Sequence, residues 1–373
     1  MKAYIYLENG VYLEAKAFGK GGSAFGELVF NTSLTGYEEI ITDPSYAGQF
    51  IVFTMPEIGI VGINDDDTES SKIHASGVFM RNFNANPSNF RSQQNIEKFF
   101  YDQGKFGVYD IDTRYLTKML RDSGNLRVYV STEISDKDEL KKALESSARI
   151  DEINYVSIVS TKEPYTHTAS RWEHKNQAYG SVNSIGKRVA VIDYGVKRNI
   201  LNELCSVGLE LEVYPHDVQG EVLIDKFNKG QIHGVFLSNG PGEPRMLVNE
   251  IAQIKKLIAA NIPMFGICLG HQLLSNAYGY ETYKLKFGQH GANHPVQNLE
   301  TKSIEITAQN HNYNVPENIC EVATITHRNL FDNTIEGVCY NGGKVFSVQH
   351  HPEASSGPNE SKYIFKKFIS ASK

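Results

Sequence analysis

The sequence predicts an α/β protein: a C-terminal, mostly parallel, doubly wound sheet preceded by a separate β-rich α+β domain. Three observations lead there. At 373 residues, the chain exceeds the size at which one hydrophobic core usually stops growing, so two domains are expected. From residue 188 onward, short apolar runs alternate with amphipathic stretches, the pattern of βαβ units. Before residue 150, strand-like runs predominate and that alternation is missing.

In the N-terminal part, Ala3 to Glu8 and Val11 to Phe18 read as strands joined at Asn9-Gly10, a strong short hairpin signal. Val29-Phe30 and Phe50 to Phe53 continue the β character. Ile96 to Tyr101 and Thr113 to Asp122 carry helical spacing, the second with Leu116, Met119 and Leu120 on one side and Gly124 as its stop. Gly19 to Gly22 lacks the Gly-Lys-Ser/Thr of a phosphate loop and reads as a flexible turn. Asp65-Asp66-Asp67 reads as a solvated loop. These observations place an N-terminal domain at 1–150. Periodicity is lost over 151–187, which reads as a connection.

The domain expected at 188–373 starts with Arg188 to Tyr194, a continuous apolar run ending at Gly195, as in a buried parallel strand. Asn199 to Val207 is an amphipathic helix stopped by Gly208. Leu211 to Tyr214, Gly234 to Leu237 and Ile262 to Ile267 read as strands, with Leu247 to Ala260 as a helix between the last two. In such sheets ligands sit at the carboxyl ends of the strands. Gly195, Ser238-Asn239-Gly240-Pro241-Gly242 and Cys268 all fall at such ends.

Composition excludes several classes. Apolar residues make up 40% of the chain and charged residues 21%, the balance of a soluble globular protein. A net charge of −6, with no basic cluster, gives no general attraction to nucleic acid. No apolar run is long enough to span a membrane, and the N-terminus does not resemble a secretory signal, so a cytoplasmic protein is expected. Cys205, Cys268, Cys320 and Cys339 lack C-x-x-C spacing, which argues against a disulfide framework and a structural zinc site. No metal site is expected. Cys205, Cys320 and Cys339 are expected in the core.

Cys268 differs because Gly266-Ile267-Cys268-Leu269-Gly270 joins a predicted strand to a predicted helix. That is the layout of a nucleophile elbow, with sulfur in place of the usual hydroxyl. The small flanking residues permit a strained turn that is expected to push the thiol into the open. A helix N-terminus supplies only about 0.3–1 kcal/mol toward a thiolate. Lowering a thiol from about 8.5 to about 7 needs roughly 2 kcal/mol, so a basic partner is required. Gln349-His350-His351-Pro352-Glu353 offers one. On an extended strand, His351 and Glu353 share a face and His350 points away. Cys268, His351 and Glu353 thus form a candidate nucleophile, base and orienter. The N–H of Leu269 is the first candidate oxyanion donor and that of Gly240 the second. Gln272, one helical turn beyond Cys268, is placed to read a small polar substrate.

These motifs resemble those of class I (triad) glutamine amidotransferases. The resemblance rests on Ser238-Asn239-Gly240-Pro241-Gly242, Gly266 to Gln272 and His351-Pro352-Glu353. Further stretches are similar to the small, glutamine-hydrolysing subunits of carbamoyl-phosphate synthetase: Asn31 to Tyr37, Thr42 to Tyr46, Asp110 to Arg114, Asp193 to Lys197, and Gly291 to Val296. The resemblance spans essentially the whole chain.

The resemblance implies a class I amidotransferase-like C-terminal domain that hydrolyses L-glutamine through a thioester on Cys268, with Gly240 and Leu269 as oxyanion donors. It implies glutamine contacts at Ser45, Gly240, Gly242, Leu269, Gln272 and Asn310, with Ser45 drawn from the N-terminal domain. Asn312 and Tyr313 stand where the family usually has Gly and Phe; Asn tolerates positive φ, and Tyr keeps the ring. Ala292 and Ile60 also depart from the usual Gly and Asn. The implied partner is a large synthetase subunit. It receives ammonia through a tunnel and uses bicarbonate, ATP and Mg to make carbamoyl phosphate for arginine and pyrimidine synthesis. No nucleotide-binding motif is seen in this chain, so no cofactor is expected in it. The alternatives are a triad amidotransferase serving another synthase and a non-catalytic regulatory subunit.

Overall fold

The computed structural model describes residues 1–372. It divides into two compact units, one formed by Met1–Tyr155 with Lys286–Gly291 and the other by Val156–Leu285 with the described residues from Ala292 onward.

The first unit is built on a closed seven-stranded barrel. The Asn9-Gly10 hairpin forms as expected, joining Lys2–Leu7 to Tyr12–Gly19. Gly10 takes φ 87°, a conformation that costs glycine little. The strands Ser23–Asn31 and Gln49–Phe53 pair in parallel. Leu28, Phe50, Val52, Phe79, Val108 and Val128, all fully buried, pack inside one of the unit's core clusters. The helix Thr113–Ser123 starts on Asp112, whose carboxylate accepts from Tyr115 N–H, and stops at Gly124. Alternation alone does not say that strands close into a barrel, because closure depends on which distant edges pair. The Asp65-Asp66-Asp67 loop is less free than its composition suggests: Asp67 takes Arg91 Nη1 at 3.0 Å and Nη2 at 2.8 Å.

The second unit carries a ten-stranded sheet. Its centre is parallel, with Lys187–Asp193 between Leu209–Pro215 and Gly234–Leu237, followed by Met264–Ile267 and Val345–Val348. Val189, Val191, Phe236 and Phe265 belong to one core cluster, and Ala190, Ile192, Val235 and Met264 to another. Successive residues of a strand therefore feed opposite faces, and helices cover both. Beyond Val345–Val348 the sheet turns antiparallel through Ile335–Tyr340 and Ala323–Asn329, reaching Tyr283–Asn298 and Ile304–Asn314 at the edge.

Residues 151–187, read as a bare connection, carry structure. Tyr165–His167 adds antiparallel to Leu209–Pro215, and Ala169–Glu173 pairs with Ala178–Ser181. The backbone hydrogen bonds come from tertiary partners, which a loss of local periodicity does not reveal. Two cysteine expectations need correction. Cys320 is exposed and Cys339 only partly buried, whereas Cys205 is buried. Cys320 lies in a single 3-10 turn whose one buried residue is Ile319.

Candidate active site

Cys268 sits between the strand Met264–Ile267 and the helix Leu269–Ala277, with φ 52° and ψ −105°. A non-glycine residue at positive φ is strained and persists only where its surroundings fix it. Here they do: Cys268 N–H donates to Val348 O at 2.9 Å, and Gly270 N–H to Ser238 O at 3.0 Å. The flanking glycines serve packing. A Cβ on Gly270 would lie 2.2 Å from Leu237 O, and one on Gly266 2.8 Å from the Gly270 backbone.

The thiol is not pushed into the open. Cys268 is 2% exposed, and its Sγ lies 3.5 Å from Asn310 O as a weak donor. The strand Ile304–Asn314, which was not foreseen, covers the elbow.

His351 and Glu353 come together by a different route from the one expected. The strand ends at Val348, and His351 makes only an isolated bridge to Ala308 before the chain turns. The turn, closed by Ala354 N–H on His351 O at 3.0 Å, brings His351 Nδ1 to 2.7 Å from Glu353 Oε1. His350 does point the other way, toward Glu336. His351 Nε2 is buried; Glu353 orients the ring through Nδ1, and Cys268 lies close enough to act on it.

Electrostatics favour the charged forms. Burial alone pulls His351 down, but the Glu353 carboxylate and Cys268 push it up to about 10. Burial pushes Glu353 up, yet Lys197 and His351 bring it to about 2. Lys197 is a residue that reasoning from chemistry alone missed. It is 2% exposed, and its Nζ lies 2.9 Å from Glu353 Oε1 and 2.7 Å from Ala354 O. Asn199 Nδ2 also holds Glu353 O, at 2.9 Å. The available signal was a lysine at the carboxyl end of a buried parallel strand, a place where an unpaired ammonium is costly.

The other expected residues separate by unit. Leu269 opens its helix, so its N–H has no intrahelical acceptor. Gly240 packs against it: a Cβ there would lie 2.8 Å from Leu269 Cδ2 and 2.2 Å from Tyr194 O. Only glycine lets the 240 backbone come this close. Gly242 takes φ 91° in open space. Gln272 Nε2 is tied to Tyr313 O at 2.9 Å and Gln349 Oε1 at 3.1 Å, so its amide hydrogens are held by the protein. Asn310, Asn312 and Tyr313 are buried on the covering strand. Asn312 is not among the residues with positive φ, so the tolerance ascribed to Asn there is not called upon. Ser45 belongs to the first unit, in the turn Pro44–Tyr46, where its N–H donates to Asp43 Oδ1 at 2.9 Å.

The doubly wound sheet and the cysteine elbow facing a His–Glu pair define a class-I glutamine amidotransferase domain. The family model of that description matches residues 190–371, and one described as the carbamoyl-phosphate synthase small chain, CPSase domain, matches residues 5–130. The carbamoyl phosphate synthase small chain of Campylobacter jejuni is 65% identical over 369 residues, 99% of each chain. That of Helicobacter hepaticus is 54% identical, covering 98% of this chain and 97% of its own. That of Clostridium acetobutylicum is 42% identical, covering 99% of each. The chain belongs to the carbamoyl phosphate synthase small chain family.

Proposed function

We propose that this chain is the glutaminase component of carbamoyl-phosphate synthesis, hydrolysing L-glutamine at Cys268 and passing ammonia to a large synthetase subunit. The observation that carries the reading is the buried His351 ring, bound to Glu353 at Nδ1, with Cys268 beside it among the groups that raise its pKa.

In this reading Cys268 Sγ, as thiolate, attacks the carboxamide carbon of glutamine. The developing oxyanion takes the N–H groups of Leu269 and Gly240, donors that are worth most in a site closed to water. The His351 imidazolium gives its proton to the departing nitrogen, the C–N bond breaks, and ammonia leaves a γ-glutamyl thioester on Cys268. His351 Nε2 then takes a proton from water, which attacks the thioester carbon; the C–S bond breaks and glutamate is released. Glu353 keeps the ring oriented and offsets its charge throughout, as the third member of a triad does. Gly240, Gly242, Leu269, Gln272, Asn310 and the neighbouring Asn312 and Tyr313 are the residues of this unit that would hold the substrate. ATP and Mg would act on the large partner, and the complex would work in the cytoplasm; no helix among the described residues is long and apolar enough to cross a membrane.

The test is Cys268→Ser in the assembled complex. Glutamine-dependent carbamoyl phosphate formation should vanish while the reaction with added ammonium persists. Retention of the glutamine-dependent rate would refute the role of Cys268. Trapping of labelled glutamine as a thioester on Cys268 would exclude a purely regulatory subunit. The match over residues 5–130 weighs against service to a different synthase.

A further inference from the structure

The strand Ile304–Asn314 has two faces, and the one away from Asn310 carries a buried polar ladder. Thr307, Gln309 and His311 share that face by the period of two, and each is at most 5% exposed. Gln309 Nε2 donates to Thr307 Oγ1 at 3.1 Å and to Glu336 Oε2 at 3.0 Å. Its Oε1 therefore faces His311, at 3.1 Å from Nε2. The other ring nitrogen, Nδ1, lies 2.9 Å from Tyr313 O. A carbonyl oxygen only accepts, so a ring that donates at both of these contacts carries a proton on each nitrogen.

The Gln309 amide has one alternative assignment. Turning the Gln309 amide round would let His311 be neutral, but it would set Oε1 against Glu336 and demand a protonated carboxyl there. The surroundings of Glu336 oppose this. Its Oε1 accepts from Asn329 Nδ2 at 3.1 Å, and His350 Nδ1 stands 3.6 Å from Oε2. Burial pushes the carboxyl up, but His350, His311 and Gln309 bring it down to about 2. The nearby His271 and His327 are pushed down by burial to about 3. Neither competes for the role of cation; His350 faces the same carboxylate directly, whereas His311 reaches it through Gln309.

We infer that Glu336 is a buried counter-charge that holds His311 as an imidazolium and, through it, positions the segment Asn310–Tyr313 beside Cys268. This rests on the reading of that segment as part of the glutamine site. The link is a closed circuit. Tyr313 O takes His311 Nδ1–H and Gln272 Nε2–H, Gln272 also reaches Gln349 Oε1, and Gln349 N–H returns to Glu336 O at 2.9 Å. Glu336 touches no reacting atom; it is a positioning residue, and it acts on the strand whose Asn310 O receives the Cys268 thiol.

The test is NMR of the full-length chain labelled with ¹⁵N-histidine, with His311→Gln as the assignment variant. At pH 7.5 the His311 ring should show two protonated nitrogens, and a ring with one would overturn the inference. This readout needs no glutaminase activity, so it decides the inference even if the proposed function fails. Kinetics supply the second arm. Glu336→Gln should raise the KM for glutamine about tenfold, the scale of one lost hydrogen bond to a charged group. Its kcat should change by less than about threefold, and Glu336→Asp should recover part of the loss. A fall in kcat at unchanged KM would overturn the positioning role. If Glu336→Gln does not fold, the spectrum of the natural chain remains decisive.

Discussion

Lys197 Nζ and Glu353 Oε1 lie 2.9 Å apart with both side chains sealed from solvent, one behind the His351–Glu353 pair. A buried carboxylate between an imidazole and an ammonium is held in its ionised form by two charges rather than one. Removing the ammonium leaves an uncompensated buried charge, which costs about 3–5 kcal/mol. Lys197→Met should therefore lower stability by roughly that amount and reduce glutamine hydrolysis. Urea unfolding beside steady-state kinetics checks both, and an unchanged midpoint with full activity would count against the pair's importance.

The pH dependence follows from the shifts. His351 is raised to about 10, so the stabilisation from its pairing is fully present below about 6.5 and is lost as pH rises through about 10. Glu353 is lowered to about 2, so its contribution is present above its ordinary range and is lost only as pH falls toward 2. Glu353→Gln removes the chief group that raises His351. The alkaline limb of kcat/KM for glutamine should then move to lower pH. A limb that stays in place would mean that it reports another group.

Gly240→Ala tests the proposed second oxyanion donor. Its Cβ would meet Tyr194 O at 2.2 Å, a backbone atom unable to swing aside. Displacing the 240 N–H should lower kcat for glutamine by about 10²–10³, with ammonium-dependent synthesis by the complex intact. Equal loss with both nitrogen sources would point to misfolding instead.

Outside the active site, the thiols should react in order of exposure. Cys320 is exposed, whereas burial pushes the Cys205 thiol up to about 12. In the native chain a maleimide should label Cys320 first without loss of glutamine hydrolysis, and Cys205 only on unfolding. Mass spectrometry of timed digests would show it. Early labelling of Cys205 would contradict its placement in the core.

The residues proposed as nucleophile, base and orienter stood out because each sits beside a local signal: glycines around Cys268, and a proline between His351 and Glu353. The parallel centre of the second unit was equally plain, since strands buried on both faces must be continuously apolar. Other features were not legible, for a common reason. The barrel closure, the cover of Asn310 over Cys268, Lys197 behind Glu353, and the Glu336–Gln309–His311 ladder all join residues far apart in sequence. Whether a buried polar group has a partner is settled by what lies across from it, which no local pattern encodes.

By itself, then, the sequence determined which side chains could carry the chemistry and the repeating pattern of the sheet that presents them, because propensity and periodicity act over a few residues. Only the tertiary structure decided that the sulfur is covered, that a turn rather than a strand joins His351 to Glu353, and which charges are stable in the interior. Those outcomes depend on desolvation and on distances between strands, and both come into existence only when the chain packs.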